Sequence, residues 1–455
     1  MPEASLTERL ADWQLARRAS GFAAADLDAA RLLVLDWLGS ALAGIGTPTG
    51  RIFLEYARLQ PVGKATLLGL AEGRSAEVAA QVNGALSHIV EMDDVERESV
   101  THPGAVVVPA ALAVAERTGA HGVDFLAAVV AGYEIMVRVG KALGPEHYFH
   151  FHNTATAGVF GAAAAAGWLL DLDRDQLVWA LGNAGTQASG LWQFNPDSAL
   201  TKPLHPGRAA ANGVLAASLS RLGLTGARNI LEGDHGFFAG LAPHGDPQRV
   251  VEHLGDRDAA LCVHGISIKP HASCRHTHAP IDAALVLRGQ MGADSGIAEV
   301  RISTYQAALT LCDKPDPRTA ADAKFSLQFC VASALLHGRV GLAEFSDAAL
   351  ENPDVRGVLP RVRVELDPVR EAMYPARWSA AVRVTLSDGR TFEAAQDRPK
   401  GDPENPLTEA ELEAKFRDLA AAGGVRAASI EQLVDWLRAL RTPEPLDTGP
   451  LRGIA

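Results

Sequence analysis

The sequence contains few cysteines and few aromatic residues. Its 455 residues include four cysteines, and aromatic residues make up 6% of the chain. Because Cys262, Cys274, Cys312 and Cys330 are far apart and form no Cys-x-x-Cys pair, we expect neither a zinc site nor a disulfide scaffold. Unpaired cysteines are typical of a reducing compartment, so we expect a cytoplasmic protein.

An excess of positive charge is also missing. The chain has 42 Lys and Arg against 54 Asp and Glu, a formal net charge of −12. Since a nucleic-acid surface needs a basic stripe, we expect no nucleic-acid partner. No apolar run reaches about 18 residues and residues 1–24 lack the pattern of a secretory signal, so we expect no membrane span or membrane partner. An acidic protein that handles anions must concentrate its cations locally.

Helical periodicity dominates residues 6–231. Alanine, the best helix former, is abundant there, which favours packing of helix on helix. Asp124 and Asp173 precede two of the apolar-periodic segments as capping residues. The predicted helices are 26–42, 76–88, 109–117, 124–143, 156–170, 174–188 and 207–222.

The pattern changes near Cys262 to short segments that alternate apolar and polar residues. The predicted strands are 299–305, 362–366, 380–385 and 391–394; an Asp388-Gly389 turn joins the last two into a hairpin. Helices are predicted at 326–336, 407–421 and 429–440. We therefore expect a mainly α fold, with a large all-helical domain over 1–265 and 400–455 and a smaller α+β domain over 266–399.

Two clusters of histidines and acids carry candidate chemistry. The first holds His88, Glu91, Asp93, Asp94, Thr101 and His102. Its three carboxylates repel one another and need cations, a ligand or solvent; a solvated helix end is the alternative to a functional site. The second holds His150, His152 and Thr154 before an alanine-rich helix. It lacks a third metal ligand, so we expect a neutral imidazole that exchanges a proton with an anion, or a buried helix-capping histidine.

Two further clusters concentrate positive charge. Lys202, His205 and Arg208 open one predicted helix, where the helix dipole and the cations together favour a carboxylate. Lys269, Cys274 and Arg275 lie in the second dense group, at the predicted domain junction. The GxGxxG, Walker and GxSxG patterns are absent from the sequence, which argues against nucleotide binding and against a serine hydrolase.

These clusters, in order along nearly the whole chain, resemble the signatures of the MmgE/PrpD family. The matching segments are GALSH at 84–88 with Asp93, Asp94 and HPG at 102–104, FHNTAT at 151–156, KPLHPGRAA at 202–210, KPHASCR at 269–275, and the stretch that begins PLT at 406. The family includes 2-methylcitrate dehydratase, cis-aconitate decarboxylase and iminodisuccinate epimerase. The resemblance implies a large helical domain, a smaller α+β lid domain, a homodimer with its active site between the domains, and no metal or organic cofactor.

The resemblance also assigns residues to the site. The expected catalytic set is His102, His152, Lys202, Asp93 and Lys269. The expected substrate-binding set is His88, Glu91, Asp94, Thr101, Thr154, His205, Arg208, Cys274 and Arg275. Departures from the family pattern include Glu91 in place of Asp, and Cys274-Arg275 in place of a Phe-Pro-Ala run. These departures argue against assigning the substrate of a family member to this chain, and most of all against decarboxylation of cis-aconitate.

The predicted chemistry is removal of a proton alpha to a carboxylate in a small di- or tricarboxylic acid. The cations would stabilise the developing charge, and His102 or His152 would be the base; a buried lysine with a lowered pKa is a further candidate for the base. Asp93 or Asp94 would orient that imidazole or protonate the leaving hydroxyl. We rank a cofactor-independent hydro-lyase similar to 2-methylcitrate dehydratase first, and an isomerase that epimerises an iminodisuccinate-like acid second. A non-catalytic small-anion-binding protein is the alternative from another class.

Overall fold

The chain divides into two compact units. The computed structural model describes residues 4–256, 258–291, 296–442 and 444–454. The first unit comprises Met1–Ile89, Asp93–Ile266 and Thr408–Ala455, and the second comprises Val90–Met92 and Ser267–Leu407. Residues 90–92 and 400–407 therefore group with the second unit, whereas the sequence prediction placed them in the helical domain.

Helices build the first unit. The twelve that precede residue 266 in the described chain are α1 Leu6–Ser20, α2 Ala24–Ile45, α3 Pro48–Arg58, α4 Ala76–His88, α5 Gly104–Thr118, α6 Gly122–Lys141, α7 Gly144–His150, α8 Asn153–Thr156, α9 Gly158–Leu169, α10 Arg174–Gly185, α11 Leu204–Arg221 and α12 Phe237–Leu241. The predicted helices are confirmed with shifted ends. The start predicted at Pro109 was wrong, because α5 begins at Gly104 and contains Pro109. The sequence reading also missed α3, which Thr47 caps.

Close helix contacts place two of the predicted clusters near each other. A Cβ on Gly207 in α11 would lie 2.3 Å from the carbonyl oxygen of Gln81 in α4. Only glycine permits so close an approach. The contact brings the first turn of α11, which carries His205, against α4, which ends at His88.

The second unit combines a sheet with helices. Its helices are α13 His278–Met291, α14 Gln306–Cys312, α15 Ala320–Lys324, α16 Leu327–His337, α17 Asp347–Leu350, α18 Pro353–Val358 and α19 Pro368–Glu371. The strands of the described chain are β1 Val95–Glu96, β2 Ile266–Ser267, β3 Ile297–Thr304, β4 Val362–Leu366, β5 Ala380–Leu386 and β6 Thr391–Gln396. The predicted strands are thus confirmed.

The four longer strands form one mixed sheet in the order β4-β3-β5-β6. Strand β3 pairs in parallel with β4 and antiparallel with β5, with Ile302 opposite both Val364 and Val382. Strands β5 and β6 form the predicted hairpin, in which Gly389 has φ +87°. Helix α13 packs against β5 and β6.

Two helices follow the sheet and return to the first unit, α20 Glu409–Ala422 and α21 Ala427–Ala439. Helix α20 packs against α2. The mainly α fold with a smaller α+β part is confirmed. Among the described residues, no single helix has the length and apolar character needed to cross a membrane; α2 and α3 reach it only as a pair, bent by 89°.

Candidate active site

A buried carboxylate joins two imidazoles in the first unit. Asp93 follows the end of α4, and its Oδ2 lies 2.7 Å from Nδ1 of His88 and 3.3 Å from Nδ1 of His102. Asp93 and His88 are each 1% exposed, and His102 is 9% exposed. The solvated helix end considered from the sequence is therefore wrong for these residues, because the cluster is inside the unit.

The hydrogen bonds of His102 fix which of its nitrogens carries a proton. Its Nδ1 lies 2.6 Å from the backbone carbonyl oxygen of Asp94, which can only accept. The hydrogen is therefore on Nδ1, and in the neutral ring Nε2 carries the lone pair. The backbone N–H of His102 donates to Oγ1 of Thr154 at 3.1 Å, so Thr154 also positions this residue. A carboxylate behind a histidine with this tautomer is the arrangement of a general base.

The adjacent carboxyl group of Asp94 has a different environment. Its Oδ1 faces the backbone N–H of Gly104 at 3.0 Å, and its Oδ2 lies 2.7 Å from the hydroxyl of Tyr133. Burial, followed by the negative charge of Asp36, raises the pKa of Asp94 to about 8. Burial also acts to raise the pKa of Asp93, but the charges of His88 and His102 hold it well below its usual range. Near pH 7 these surroundings favour the protonated form of Asp94 and the ionised form of Asp93.

A second pair of imidazoles lies next to the first. The ring of His152 stacks at 5.5 Å from that of His88, and its Nδ1 lies 3.3 Å from Nδ1 of His205. Burial, followed by the charge of His88, holds the pKa of His152 well below its usual range. Burial and the charges of His88 and Lys202 lower the pKa of His205 to about 4. Both rings are therefore neutral near pH 7, and proton exchange between His152 and a bound anion stays a prediction.

A cavity of about 520 Å³ opens beside His205. Its wall includes Gln187, Ser189, His205, Arg208 and Asn212. The volume lies within the range of small-molecule sites. Two predicted substrate-binding residues, His205 and Arg208, therefore line a space that is large enough for a small organic acid.

The side chain of Thr101 contacts a neighbouring loop residue of the first unit. Its hydroxyl lies 2.7 Å from that of Ser99, and its side chain is fully buried. Its backbone carbonyl accepts a hydrogen bond from the N–H of Glu96. These contacts shape the loop that leads to His102, and substrate binding by Thr101 stays a prediction.

In the second unit, Lys269 and Glu91 form a buried ion pair. Lys269 Nζ lies 3.3 Å from Glu91 Oε2, and the two residues are 1% and 4% exposed. Glu91 has a positive φ of 60°, which is uncommon for a side chain of this size. The Glu91 carboxylate thus fixes the position of the Lys269 side chain, and the catalytic role of Lys269 stays a prediction.

Arg275 is held by the protein itself. Its guanidinium forms a short ion pair with Asp402, and Nη1 lies 2.8 Å from Nδ1 of His278. Arg275 is 3% exposed and Asp402 is fully buried. Because this carboxylate already occupies the guanidinium, the predicted binding of substrate by Arg275 stays a prediction that the pairing does not favour.

Cys274 is buried, and its backbone N–H donates to the carbonyl oxygen of Lys324. The four cysteines are free thiols. Burial raises the pKa of Cys330 to about 12 and that of Cys312 well above its usual range, so these two thiols stay protonated. The absence of a disulfide scaffold stays a prediction.

Comparison with known proteins identifies the family. Residues 8–250 match the model of the MmgE/PrpD N-terminal domain, and residues 271–438 match that of the MmgE/PrpD C-terminal domain. The chain belongs to the MmgE/PrpD family.

Several MmgE/PrpD relatives are named for lyase reactions. Cis-aconitate decarboxylase of Homo sapiens is 28% identical over 401 residues, which cover 85% of this chain and 81% of that protein. Cis-aconitate decarboxylase of Aspergillus terreus is 27% identical and covers 92% of this chain and 90% of its own length. 2-Methylcitrate dehydratase of Cupriavidus necator is 26% identical over about half of each chain, 51% and 50%.

A metal ion is one possible occupant of the acid–imidazole cluster in this MmgE/PrpD chain. Side-chain ligand atoms of His88, Asp93 and His102 lie within 4.8 Å of one another. The Nδ1 of His102 carries a hydrogen, however, so only its Nε2 has a lone pair for a metal. The 2.7 Å separation of His88 and Asp93 is that of a hydrogen bond. The geometry thus favours an acid–base group; the absence of a metal or organic cofactor stays a prediction.

Sequence reasoning missed several residues that build the candidate site, among them Asp36, whose charge acts on Asp94. Tyr133 contacts Asp94, Asn153 donates to the Ser99 carbonyl, and the ring of Trp192 lies 5.0 Å from His152. A signal existed for two missed residues. Tyr133 and Asp36 each interrupt an otherwise apolar helical segment, where a polar group needs a partner.

Proposed function

We propose that this MmgE/PrpD chain is a hydro-lyase that acts on a small di- or tricarboxylic acid. The observation that carries the proposal is the pair of adjacent buried carboxyl groups in different surroundings: Asp93 lies against two imidazoles, whereas Asp94 contacts the Tyr133 hydroxyl and the Gly104 amide. Environments that separate the pKa values of two neighbouring groups are typical of sites that need one base and one acid. Dehydration needs both, because a proton leaves carbon while a hydroxyl leaves as water.

The base in this proposal is His102. Asp93 and the Asp94 carbonyl hold its Nδ1–H, so Nε2 takes the proton from the carbon alpha to a carboxylate. The C–H electron pair forms the double bond, and the beta hydroxyl accepts the proton of Asp94 and departs as water. His152 is a weaker candidate for the base, because its lowered pKa makes it a poor proton acceptor.

Cations stabilise the charge that develops on the substrate carboxylate. Lys202 lies near His152 and His205, whose pKa values its charge lowers. Arg208 lines the adjoining cavity. Fixed positive charge placed where negative charge develops is commonly the largest contribution to catalysis of this type. Lys269 keeps the same role as a prediction from the family resemblance.

Decarboxylation of such an acid is the second candidate. The relatives named cis-aconitate decarboxylase match the chain over 81% to 90% of their length, whereas the dehydratase of Cupriavidus necator matches over half of its own. This similarity supports decarboxylation more strongly than the sequence departures suggested. An epimerase would use the same base without losing water, and a non-catalytic anion-binding protein would need neither acid nor base.

Proton NMR in deuterated water separates these reactions. The enzyme is incubated with citrate, 2-methylcitrate, cis-aconitate and iminodisuccinate. A new vinyl signal from a hydroxy acid supports the hydro-lyase, whereas a new vinyl signal with release of CO2 from cis-aconitate supports the decarboxylase. Exchange of the alpha proton without loss of water indicates an epimerase. If no acid reacts while the acids raise the melting temperature, the anion-binding alternative replaces the proposal.

A pair of histidine variants tests the assignment of the base. His102→Gln is expected to lower turnover by about 10²–10⁴-fold, the usual contribution of a general base. His253→Gln is the matched control, because His253 is exposed and pairs with Asp256 at the surface. Equal activity of the two variants would remove His102 from the mechanism. The homodimer stays a prediction, which analytical ultracentrifugation would check.

A further inference from the structure

The carboxyl group of Asp94 is enclosed by Gly104 and by Tyr133, and Tyr133 lies outside the family signatures. Tyr133 in α6 contacts its Oδ2 at 2.7 Å, and the first amide of α5, that of Gly104, faces its Oδ1. A Cβ on Gly104 would lie 2.9 Å from the Tyr133 hydroxyl, so no larger residue fits between them. The carboxyl group is thus held in one orientation on both oxygens.

A buried charge pair lies behind this group. Asp36 in α2 is 2% exposed, and its Oδ1 lies 2.5 Å from Nζ of Lys415 in α20. Helix α2 packs against both α6 and α20. Buried ion pairs are expensive to desolvate and often contribute no stability compared with apolar residues of the same size. A carboxylate beside the site therefore calls for an explanation other than stability.

We propose that Tyr133 and Asp36 are positioning residues for Asp94, the acid of the proposed site. Tyr133 fixes the orientation of the carboxyl group. Asp36 is a negative charge that makes ionisation of Asp94 unfavourable, and Lys415 holds Asp36 in place through the buried ion pair. The inference rests on the proposed function, in which Asp94 supplies the proton for the departing hydroxyl.

The charged and titratable groups near Asp94 come from several elements. They are Asp36 from α2, Tyr133 from α6, Lys415 from α20 through Asp36, Asp93 from the preceding position, and His102, which contacts the Asp94 carbonyl. Of these, Asp36 and Asp93 raise the pKa of Asp94, and the hydrogen bond from Tyr133 lowers it. The two positioning residues therefore act in opposite directions on the same proton.

Because Asp36 and Tyr133 shift the pKa of Asp94 in opposite directions, their roles can be tested without a substrate. Infrared difference spectra of wild type against Asp94→Asn isolate the carbonyl stretch of protonated Asp94, which is then titrated with pH. We expect its midpoint near pH 8 in the wild type. Asp36→Asn should lower the midpoint by about one unit or more, and Tyr133→Phe should raise it. A structural role alone would not move the two midpoints in opposite directions.

Matched variants keep the test interpretable. Asp28→Asn changes another aspartate of α2, and Tyr56→Phe changes an exposed tyrosine, so neither should move the midpoint. If Asp36→Asn does not fold, the double variant Asp36→Asn with Lys415→Met removes both charges and is expected to lower the midpoint as well. Midpoints that stay unchanged, or that move in the same direction, would overturn the inference.

Activity distinguishes this inference from the proposed function. If a substrate is found, the alkaline limb of its pH–rate profile should shift in the same direction as the infrared midpoint in each variant. Opposite midpoint shifts without dehydration of any acid would support the positioning of Asp94 and contradict only the hydro-lyase. Dehydration with unshifted midpoints would support the hydro-lyase and contradict the positioning.

Discussion

Asp93 and Asp94 are adjacent in sequence and buried together, yet their surroundings lower the pKa of the Asp93 carboxyl group and raise that of Asp94. Two histidine rings lie against Asp93, whereas Asp94 lies near further negative charge and the hydroxyl of Tyr133. Successive residues thus face different surroundings because Asp93 turns toward the imidazoles and Asp94 toward α5 and α6. This division of roles between two carboxyl groups leads to the first prediction.

Replacing each aspartate by asparagine should have different consequences. Asp93→Asn removes the charge that holds two imidazoles, and we expect turnover to fall by about 10²–10⁴-fold. Asp94→Asn keeps the shape of a neutral carboxyl group. We expect it to reduce turnover while raising the free energy of unfolding at pH 9 by about 1–3 kcal/mol.

The sign of this stability change follows from the raised pKa of Asp94. Its folded value of about 8 lies above its ordinary value of 3.8. The stability from protonated Asp94 is therefore fully present below about pH 4 and is lost as the pH rises through 8. Urea denaturation at pH 6 and pH 9 checks the prediction, since asparagine cannot ionise. A variant that is equally destabilised at both pH values would contradict it.

The buried ion pair with Asp402 predicts that Arg275 stabilises the second unit. Removing one partner of a buried pair leaves an uncompensated charge, so Arg275→Met should lower the free energy of unfolding by about 3–5 kcal/mol. Glu393→Gln breaks the exposed pair with Arg383 and should change it by less than about 0.5 kcal/mol. If Arg275→Met instead raises KM while the denaturation midpoint is unchanged, Arg275 binds substrate as the sequence predicted.

Much of the fold follows from local pattern. The strands at Val362–Leu366 and Thr391–Gln396 were predictable because alternation and an Asp-Gly turn act over a few residues. The start of α5 was not, because Pro109 is favoured near a helix start but is accommodated here inside the helix. The α3 helix was missed because its glycine and proline are typical of a loop.

The candidate site was only partly predictable, because some of its residues are brought together only by the packing of distant segments. The residues His102, Asp93 and His152 stand in dense polar clusters, which the sequence makes visible. Asp36 and Tyr133 stand alone in helices, and only packing of α2 and α6 connects them to Asp94. Arg275 looked like an anion-binding residue because its partner Asp402 lies 127 positions further along the chain.

Buried neutral histidines predict that acid destabilises the protein. Burial lowers the pKa of His276 to about 3, where its ring stacks 4.2 Å from that of Trp378. Its ordinary pKa is 6.5, so its contribution to stability is fully present above pH 6.5 and is lost as the pH falls toward 3. Burial also lowers the pKa of His205, so its contribution to stability is likewise lost as the pH falls toward about 4.

The measurement is the free energy of unfolding in urea between pH 7 and pH 4.5. We expect a decrease of roughly several kcal/mol over this range for the wild type. In His276→Phe the decrease should be smaller, because phenylalanine keeps the stack without binding a proton. His253→Gln, which alters an exposed histidine, should follow the wild type. Identical pH dependence of all three proteins would contradict this account.

Two glycines of the second unit allow the cost of a steric clash to be measured apart from the cost of backbone strain. Gly401 and Gly389 have nearly the same conformation, with φ of +89° and +87°. A Cβ on Gly401 would lie 1.8 Å from the carbonyl oxygen of Ile268, which precedes Lys269, whereas a Cβ on Gly389 would have no neighbour within 4 Å. The Ile268 N–H also donates to the Gly401 carbonyl at 2.8 Å. Gly401 therefore holds the backbone beside Lys269.

Alanine at Gly389 should cost only the backbone strain, about 1–2 kcal/mol of unfolding free energy. Alanine at Gly401 should cost at least about twice as much, because the Ile268 carbonyl has to move as well. If Lys269 neutralises a substrate carboxylate, Gly401→Ala should also lower kcat/KM below that of Gly389→Ala at a temperature where both proteins are folded. Equal stability of the two variants would contradict the steric argument, and equal kcat/KM with unequal stability would restrict Gly401 to a structural role.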